Sequence, residues 1–243
     1  MTKKITFALA VMVAFAAHAT TRTWNPTVKA SDGKYNWNNA NNWLDDNGNT
    51  GVPVAGDTVV MTNNSNVWSI QNTQLYAFIL RPTGNGYGLS GTGPTFGVGS
   101  AGIRLETAKT VSYWLGLIAP AGYDLPIYVC EGGSINTTES YGGSGRFLRQ
   151  GTGTLTIGNK SGDNRYTWHG TVIEAGTFQM GGYDMHLTNH DMVFAGVSSR
   201  IYLISDQTLK NVDFHETDAT RPGTHSIDAS TAYQLIFTGT PAR

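Results

Sequence analysis

The chain has little of what usually staples or anchors a protein. It carries 1 cysteine in 243 residues, which excludes an intramolecular disulfide framework. That residue, Cys130, ends the strand-like run Ile127-Tyr128-Val129-Cys130 and reads as a small buried hydrophobe. Charged residues make up only 14%, too few for helices laced by surface ion pairs. Lys and Arg are scattered and the formal net charge is −1. That balance excludes the basic face that a nucleic acid partner requires. After the N-terminus, no apolar run approaches the roughly 20 residues of a membrane span. No segment keeps an apolar helical period over three turns. No Gly-x-Ser-x-Gly elbow and no His-Glu-x-x-His pair occur, so neither a hydrolase nucleophile nor a zinc helix is signalled.

Turn chemistry is abundant instead. There are 30 glycines, and Asn and Thr are frequent, so the chain is punctuated many times by tight turns. Residues 1–19 have the layout of a secretory signal: Lys3 and Lys4, an apolar stretch over 5–16, then Ala17-His18-Ala19. Cleavage is expected after Ala19, which places the mature protein outside the cytoplasm, secreted or in the cell envelope. Short strand-like runs recur at 155–157, 171–173, 177–180, 185–187, 192–194, 200–204, 209–214, 225–227 and 233–237. Three such runs make a unit of about 20 to 25 residues, in the range of solenoid coils. Inside the runs, alternation sends Leu155, Ile157, Phe178 and Met180 to one face. The Gly-rich stretch 84–102 carries Leu89, Phe96 and Val98 and reads as closely turned coils rather than as a linker. The fold class expected is all-β, a parallel β-helix, and composition alone equally allows a β-sandwich or jelly roll.

Residues 20–57 differ from the rest. Trp24, Trp37 and Trp43 lie among asparagines, and Gly56-Asp57 leads into a strand over 58–61. A solenoid needs an atypical first unit to cover its open end, so 20–57 is expected to be an N-terminal cap sealed by Trp37 and Trp43, with 58–243 as the β-solenoid body.

The stretch 151–182 begins Gly151-x-Gly153-Thr154-Leu155, continues with Asn164-x-Tyr166 and Gly170, and closes on Val172, Gly176 and Thr177. It resembles the autotransporter-associated β-strand repeat, also called the passenger-associated transport repeat. The resemblance implies a right-handed β-solenoid on or outside a bacterial cell, with no reaction attached. It gives Gly151, Gly153, Gly170 and Gly176 turn roles and stacks Leu155, Ile157, Phe178 and Met180 in the core. The N-terminal Trp and Gly56-Asp57-Thr58-Val59 pattern is similar to the opening segment of many bacterial surface solenoid proteins. The resemblance covers a passenger-like body only.

Few residues carry candidate chemistry. His186 and His190 have metal-ligand spacing, but Thr188-Asn189 between them reads as a turn, so no metal site is expected. Asp45-Asp46-Asn47-Gly48-Asn49 fails the calcium-loop pattern, which needs Gly at position 6 and Glu at position 12, and reads as an Asx turn. No cofactor is called for. The carboxylates Asp57, Glu106, Asp124, Glu131, Glu139, Glu174, Asp184, Asp191 and Asp213 are dispersed, with Asp57 and Glu174 as candidate catalytic acids. Trp168 and His169 stand where the family carries small residues, and are the candidate ligand contacts. The reading is an exported structural or interaction protein, serving adhesion or glycan binding, with glycans or surface glycoproteins as partners. The alternative is a secreted hydrolase acting on carbohydrate or mucin through a pair of carboxylates.

Overall fold

A computed structural model describes residues 20–64, 66–70, 74–91, 96–114, 117–119, 121–122, 124–137, 141–158, 168–182, 184–185, 187–214 and 224–237. The signal-like residues 1–19, together with Asn164, Tyr166 and His186, lie outside the described residues. The chain is a β-solenoid, its strands hydrogen-bonded to their counterparts one coil away in parallel register. Register carries Met61 onto Leu80, Leu80 onto Leu105 and Leu105 onto Val129. Further along, Phe147 pairs with Thr171, and Thr171 with Met192. Each step advances about 20 to 25 residues, the span expected of one coil.

Three faces follow from this register. The first holds Thr21–Trp24, Thr58–Met61, Leu125–Val129 and Arg146–Gln150, together with one half of each longer strand. The second holds Val67–Ile70, Thr110–Trp114, Ser134–Thr137, Thr154–Ile157 and Thr224–Ala229. Leu117–Ala119 and Tyr141–Gly143 lie on the third. Side chains alternate in and out, as in Leu125–Val129, where Leu125, Ile127 and Val129 are buried and Pro126 and Tyr128 are not. Inward residues stack coil upon coil: Val111, Ile135, Leu155, Phe178 and Ile201 form one such column. Burial of each aliphatic or aromatic side chain contributes about 1.5–3 kcal/mol. Leu155, Ile157, Phe178 and Met180 all belong to this core.

The runs 171–173 and 177–180 are not separate strands joined by a turn loop. They form one bent strand, Gly170–Met180, and the runs 192–194 and 200–204 fall in Leu187–Leu203, apart from Ile204. The bend is a register shift between Ile173 and Ala175. It is made by Gly176 in the left-handed region at φ 72°, which a β-carbon would strain. A β-carbon there would also meet the carbonyl oxygen of Gly151 at 2.5 Å and Nη2 of Arg149 at 2.7 Å. Gly151 and Gly153 have the same close approach to the coil before them, against the carbonyls of Val129 and Cys130. Thr177 N–H donates to Gly153 and Gly153 N–H to Val129, both at 3.0 Å. The Gly-x-Gly-Thr signature is thus a corner where backbones of successive coils stack directly.

The three tryptophans of residues 20–57 gather together. Trp24, Trp37 and Trp43 are buried. Trp43 meets Trp24 and Trp37 edge-on, with centroids 4.7 and 4.6 Å apart, and its indole N–H donates to the Trp37 carbonyl at 2.7 Å. Buried Asn42 holds the strand entry by accepting from the N–H groups of Thr27 and Val28. The cap is continuous with the body, since Thr21–Trp24 pairs with Thr58–Met61 and Tyr35–Asn36 with Val67–Ile70. Towards the other end of the described residues, Ile227 and Ile236 are exposed. Cys130 is half-buried at a corner just past Leu125–Val129, rather than inside the strand. Burial pushes its thiol pKa up.

Candidate functional site

A groove of about 740 Å³ lies on the outside of the first face, lined by Gly122, Ser144, Gly145 and Val193 and by the polar side chains described next. Register builds it. Pairing of Leu125 with Phe147 sets Asp124 beside Arg146, and Arg146, Gly170, Asp191 and Asn211 then follow one another along the coil axis. Arg146 forks onto Asp124 through Nε at 2.9 Å and Nη2 at 2.7 Å, and this hydrogen-bonded partner raises the guanidinium pKa. Two coil steps away, Asp191 accepts from Lys210 at 3.1 Å and from Asn211 at 3.2 Å. Between these clusters the rung carries Gly170. A β-carbon there would meet the Asp191 carbonyl oxygen at 2.8 Å and the Arg146 stem at 3.4 Å. Gly170 is accordingly buried, covered by the Arg146 stem. Exposed His169 lines the groove, and Asp213 lines it from the coil that carries Lys210 and Asn211.

The residues singled out from sequence divide. His169 is on the groove. Trp168 is not on the surface: it is 2% exposed and packs against Phe147, centroids 5.3 Å apart. It offers no face for a sugar. Its indole N–H donates to Thr171 Oγ1 at 3.1 Å, and Thr171 Oγ1 lies 3.0 Å from His190 Nε2. His190 Nδ1 faces the Trp168 carbonyl at 3.4 Å. This closed ring of hydrogen bonds holds the large indole inside the coil. Burial drives the His190 pKa down to about 4, so the imidazole is neutral. A second hydroxyl–imidazole contact, Ser199 Oγ to His225 Nδ1 at 2.8 Å, also lies on inward-facing positions. Both pairs resemble activated nucleophiles in distance, but Thr171 and Ser199 are buried.

Asp57 and Glu174 are not brought together. Asp57 is buried at the cap, where its Oδ2 accepts from Val54 N–H at 2.9 Å. Glu174 accepts from Gln150 one coil below at 2.8 Å. Five register steps separate the two positions, about 24 Å at the interstrand spacing. The glycosidase range ends near about 9.5 Å. The Asp45 segment is an Asx turn, its carboxylate accepting from Asn47 and Asn49 N–H at 2.9 and 2.8 Å. The Asn49 hydrogen bonds hold the Asp45 pKa low. Among the described residues, no three His, Cys, Asp or Glu side chains gather to hold a metal ion.

Asp124, Asp191 and Asp213 are carboxylates that sequence left dispersed, and here they share one groove. Arg146 and Lys210 were missed. The signal that reveals them is their spacing by one coil, which only the register fixes. No family model matches this chain, and no curated protein or solved structure matches it.

Proposed function

We propose that this chain is an exported structural and interaction protein, a β-solenoid of the autotransporter-associated repeat type whose outer surface binds glycan. The repeat reading draws support from the corner at Gly151, Gly153 and Gly176, where the motif glycines lie where side chains do not fit. The binding reading rests on one contrast. The hydroxyls of the two hydroxyl–imidazole pairs are buried, whereas the groove is open and polar, with Arg146 committed to Asp124 and Lys210 to Asp191. That arrangement suits hydrogen bonding to a polyhydroxyl surface more than it suits general acid–base work, which needs an uncommitted acid within reach of its substrate.

The test incubates purified protein with mucin and with insoluble polysaccharides, measuring retention and release of reducing ends together. Retention without release is expected. Release above background, lost on changing Asp191 or Asp213 with the melting point unchanged, would replace this reading with the hydrolase one.

A further inference from the structure

We propose that a second pocket, at the corner between the first and second faces, holds the anionic group of an acidic sugar, a carboxylate or a sulfate ester, on Arg200. The inference rests on the glycan-binding reading and adds a ligand class at a place apart from the groove. The pocket has a volume of about 380 Å³, within the range of small-molecule sites. Register builds it from two rows on either side of the Gly176 corner. Ala175, Ser198 and Thr224 stack in one row, and Thr177, Arg200 and Ser226 in the other. Thr152 joins them from the coil before.

The lining is hydroxyl and guanidinium. Among the described residues, Arg200 is its one charged side chain and no carboxylate lines it. The groove, by contrast, carries Asp124, Asp191 and Asp213. Arg200 is exposed, yet held from two sides. Its Nε donates to Asp228 Oδ2 at 2.6 Å, and its guanidinium carbon lies 4.6 Å from the centroid of the Tyr202 ring. A guanidinium has about five N–H donors in a rigid fork. The ion pair uses Nε and leaves the two Nη groups, whose planar geometry matches a pair of carboxylate or sulfate oxygens. The hydroxyls of Thr177, Ser198 and Thr224 stand on the same walls and can donate to the oxygens that remain.

Asp228 is the competing anion. Its Oδ2 already accepts from Arg200 and from Ser226 Oγ, the latter at 3.0 Å, and it stands outside the lining. It fixes the guanidinium and also weakens the attraction for a second anion. Recognition therefore runs through forked hydrogen bonds at short range rather than through net charge. A neutral hydroxyl fills one arm of such a fork, whereas an oxyanion fills both. A cation meets no charged acceptor among the described lining residues.

The experiment titrates the purified protein by calorimetry with a galacturonate trisaccharide, with N-acetylglucosamine 6-sulfate, and with the uncharged galactose trisaccharide and N-acetylglucosamine. An acidic ligand should bind more tightly than its uncharged counterpart, and the preferred one of the two tells carboxylate from sulfate. Arg200→Gln should weaken that acidic ligand about tenfold or more, the loss expected of a hydrogen bond to a charged group. Asp228→Asn should strengthen it roughly twofold to fivefold, the worth of one exposed charge interaction removed. A merely structural role for the Arg200–Asp228 pair would give a loss in both variants, and that result would overturn the subsite. Arg104→Gln is the control. Arg104 likewise lies over a tyrosine, Tyr128, and pairs with a carboxylate, Glu106 at 3.0 Å, but lines neither concavity, so acidic ligand should bind this variant as it binds the wild type. Acidic ligand bound equally by wild type and Arg200→Gln would overturn the subsite while leaving glycan binding standing. Retention of neutral polysaccharide with no binding of either acidic ligand would do the same. Retention of no glycan, neutral or acidic, would overturn both readings.

Discussion

His190 should make this protein acid-sensitive in a defined window. The ring of hydrogen bonds fixes its protonation state. Trp168 Nε1 can only donate, so Thr171 Oγ1 accepts from it. The one hydroxyl hydrogen of Thr171 is then left for His190 Nε2, and the imidazole proton sits on Nδ1, facing the Trp168 carbonyl. A second proton, on Nε2, would confront the threonine oxygen and strand the hydroxyl hydrogen. Burial dominates the resulting depression to about 4, against 6.5 for a free histidine. The Trp168 carbonyl and the neighbouring Asp191 oppose it, and His169 adds slightly to it.

The sign follows. Between about pH 4 and 6.5 the unfolded chain binds more protons at this residue than the folded one, so stability rises with pH across that window. The contribution is fully present above about 6.5 and is lost progressively as pH falls towards 4. At about 1.36 kcal/mol per pKa unit, the loss reaches about 3 kcal/mol, a large share of the roughly 5–15 kcal/mol that holds a typical domain. Urea unfolding of the wild type and of His190→Gln, followed from about pH 7.5 down to 4, isolates the effect from the other titrating groups. His190→Gln should start less stable by about 1–3 kcal/mol and show a flatter slope with pH. Parallel slopes for the two proteins, or a His190 titration by NMR near 6.5, would refute the reasoning.

Two further outcomes are expected. Arg149 is wholly buried, its pKa lowered to about 10 by desolvation; its Nη1 donates to the Gly151 carbonyl at 3.2 Å and its Nη2 to the Gly153 carbonyl, and among the described residues no carboxylate pairs with it. Arg149→Met should therefore cost little or stabilise, since a packed apolar isostere relieves the desolvation of a buried charge; a urea midpoint implying a loss above about 3 kcal/mol would overturn this. The N-terminus of the exported protein should be Thr20 by mass spectrometry, and a cytoplasmic protein retaining Met1 would count against the signal reading.

The strand runs and the core column were legible because their cause is local. Leu155, Ile157, Phe178 and Met180 face inward by simple alternation, and Thr58–Met61 begins where Gly56-Asp57 turns the chain. The stacking of the coils reaches beyond 151–182. Ser134-Ile135 stacks on Thr154-Leu155, and Ser226-Ile227 on Arg200-Ile201, with the motif glycine replaced by Ser199 at one corner. The bent strands were not legible, because a corner made of one backbone kink leaves the same Gly signature as a loop. Trp168 was misplaced for a different reason. Its side is decided by hydrogen bonds to Thr171 and His190, one of them a coil away.

The groove marks where local reasoning ends in a solenoid. Its walls come from Asp124, Arg146, Asp191 and Lys210, which are neighbours only because each coil has the length it has. One residue more in any intervening corner would slip the register and turn an outward charge toward the core. The corners resist such slips. Gly153 N–H is bonded to Val129, and Thr154 N–H to Gly133, so each coil is pinned to the one before it at the glycines themselves. The motif glycines thus act on the outer surface as well as on the turn. By holding register at the corner they keep Gly170 between Arg146 and Asp191 and the charged walls of the groove in line.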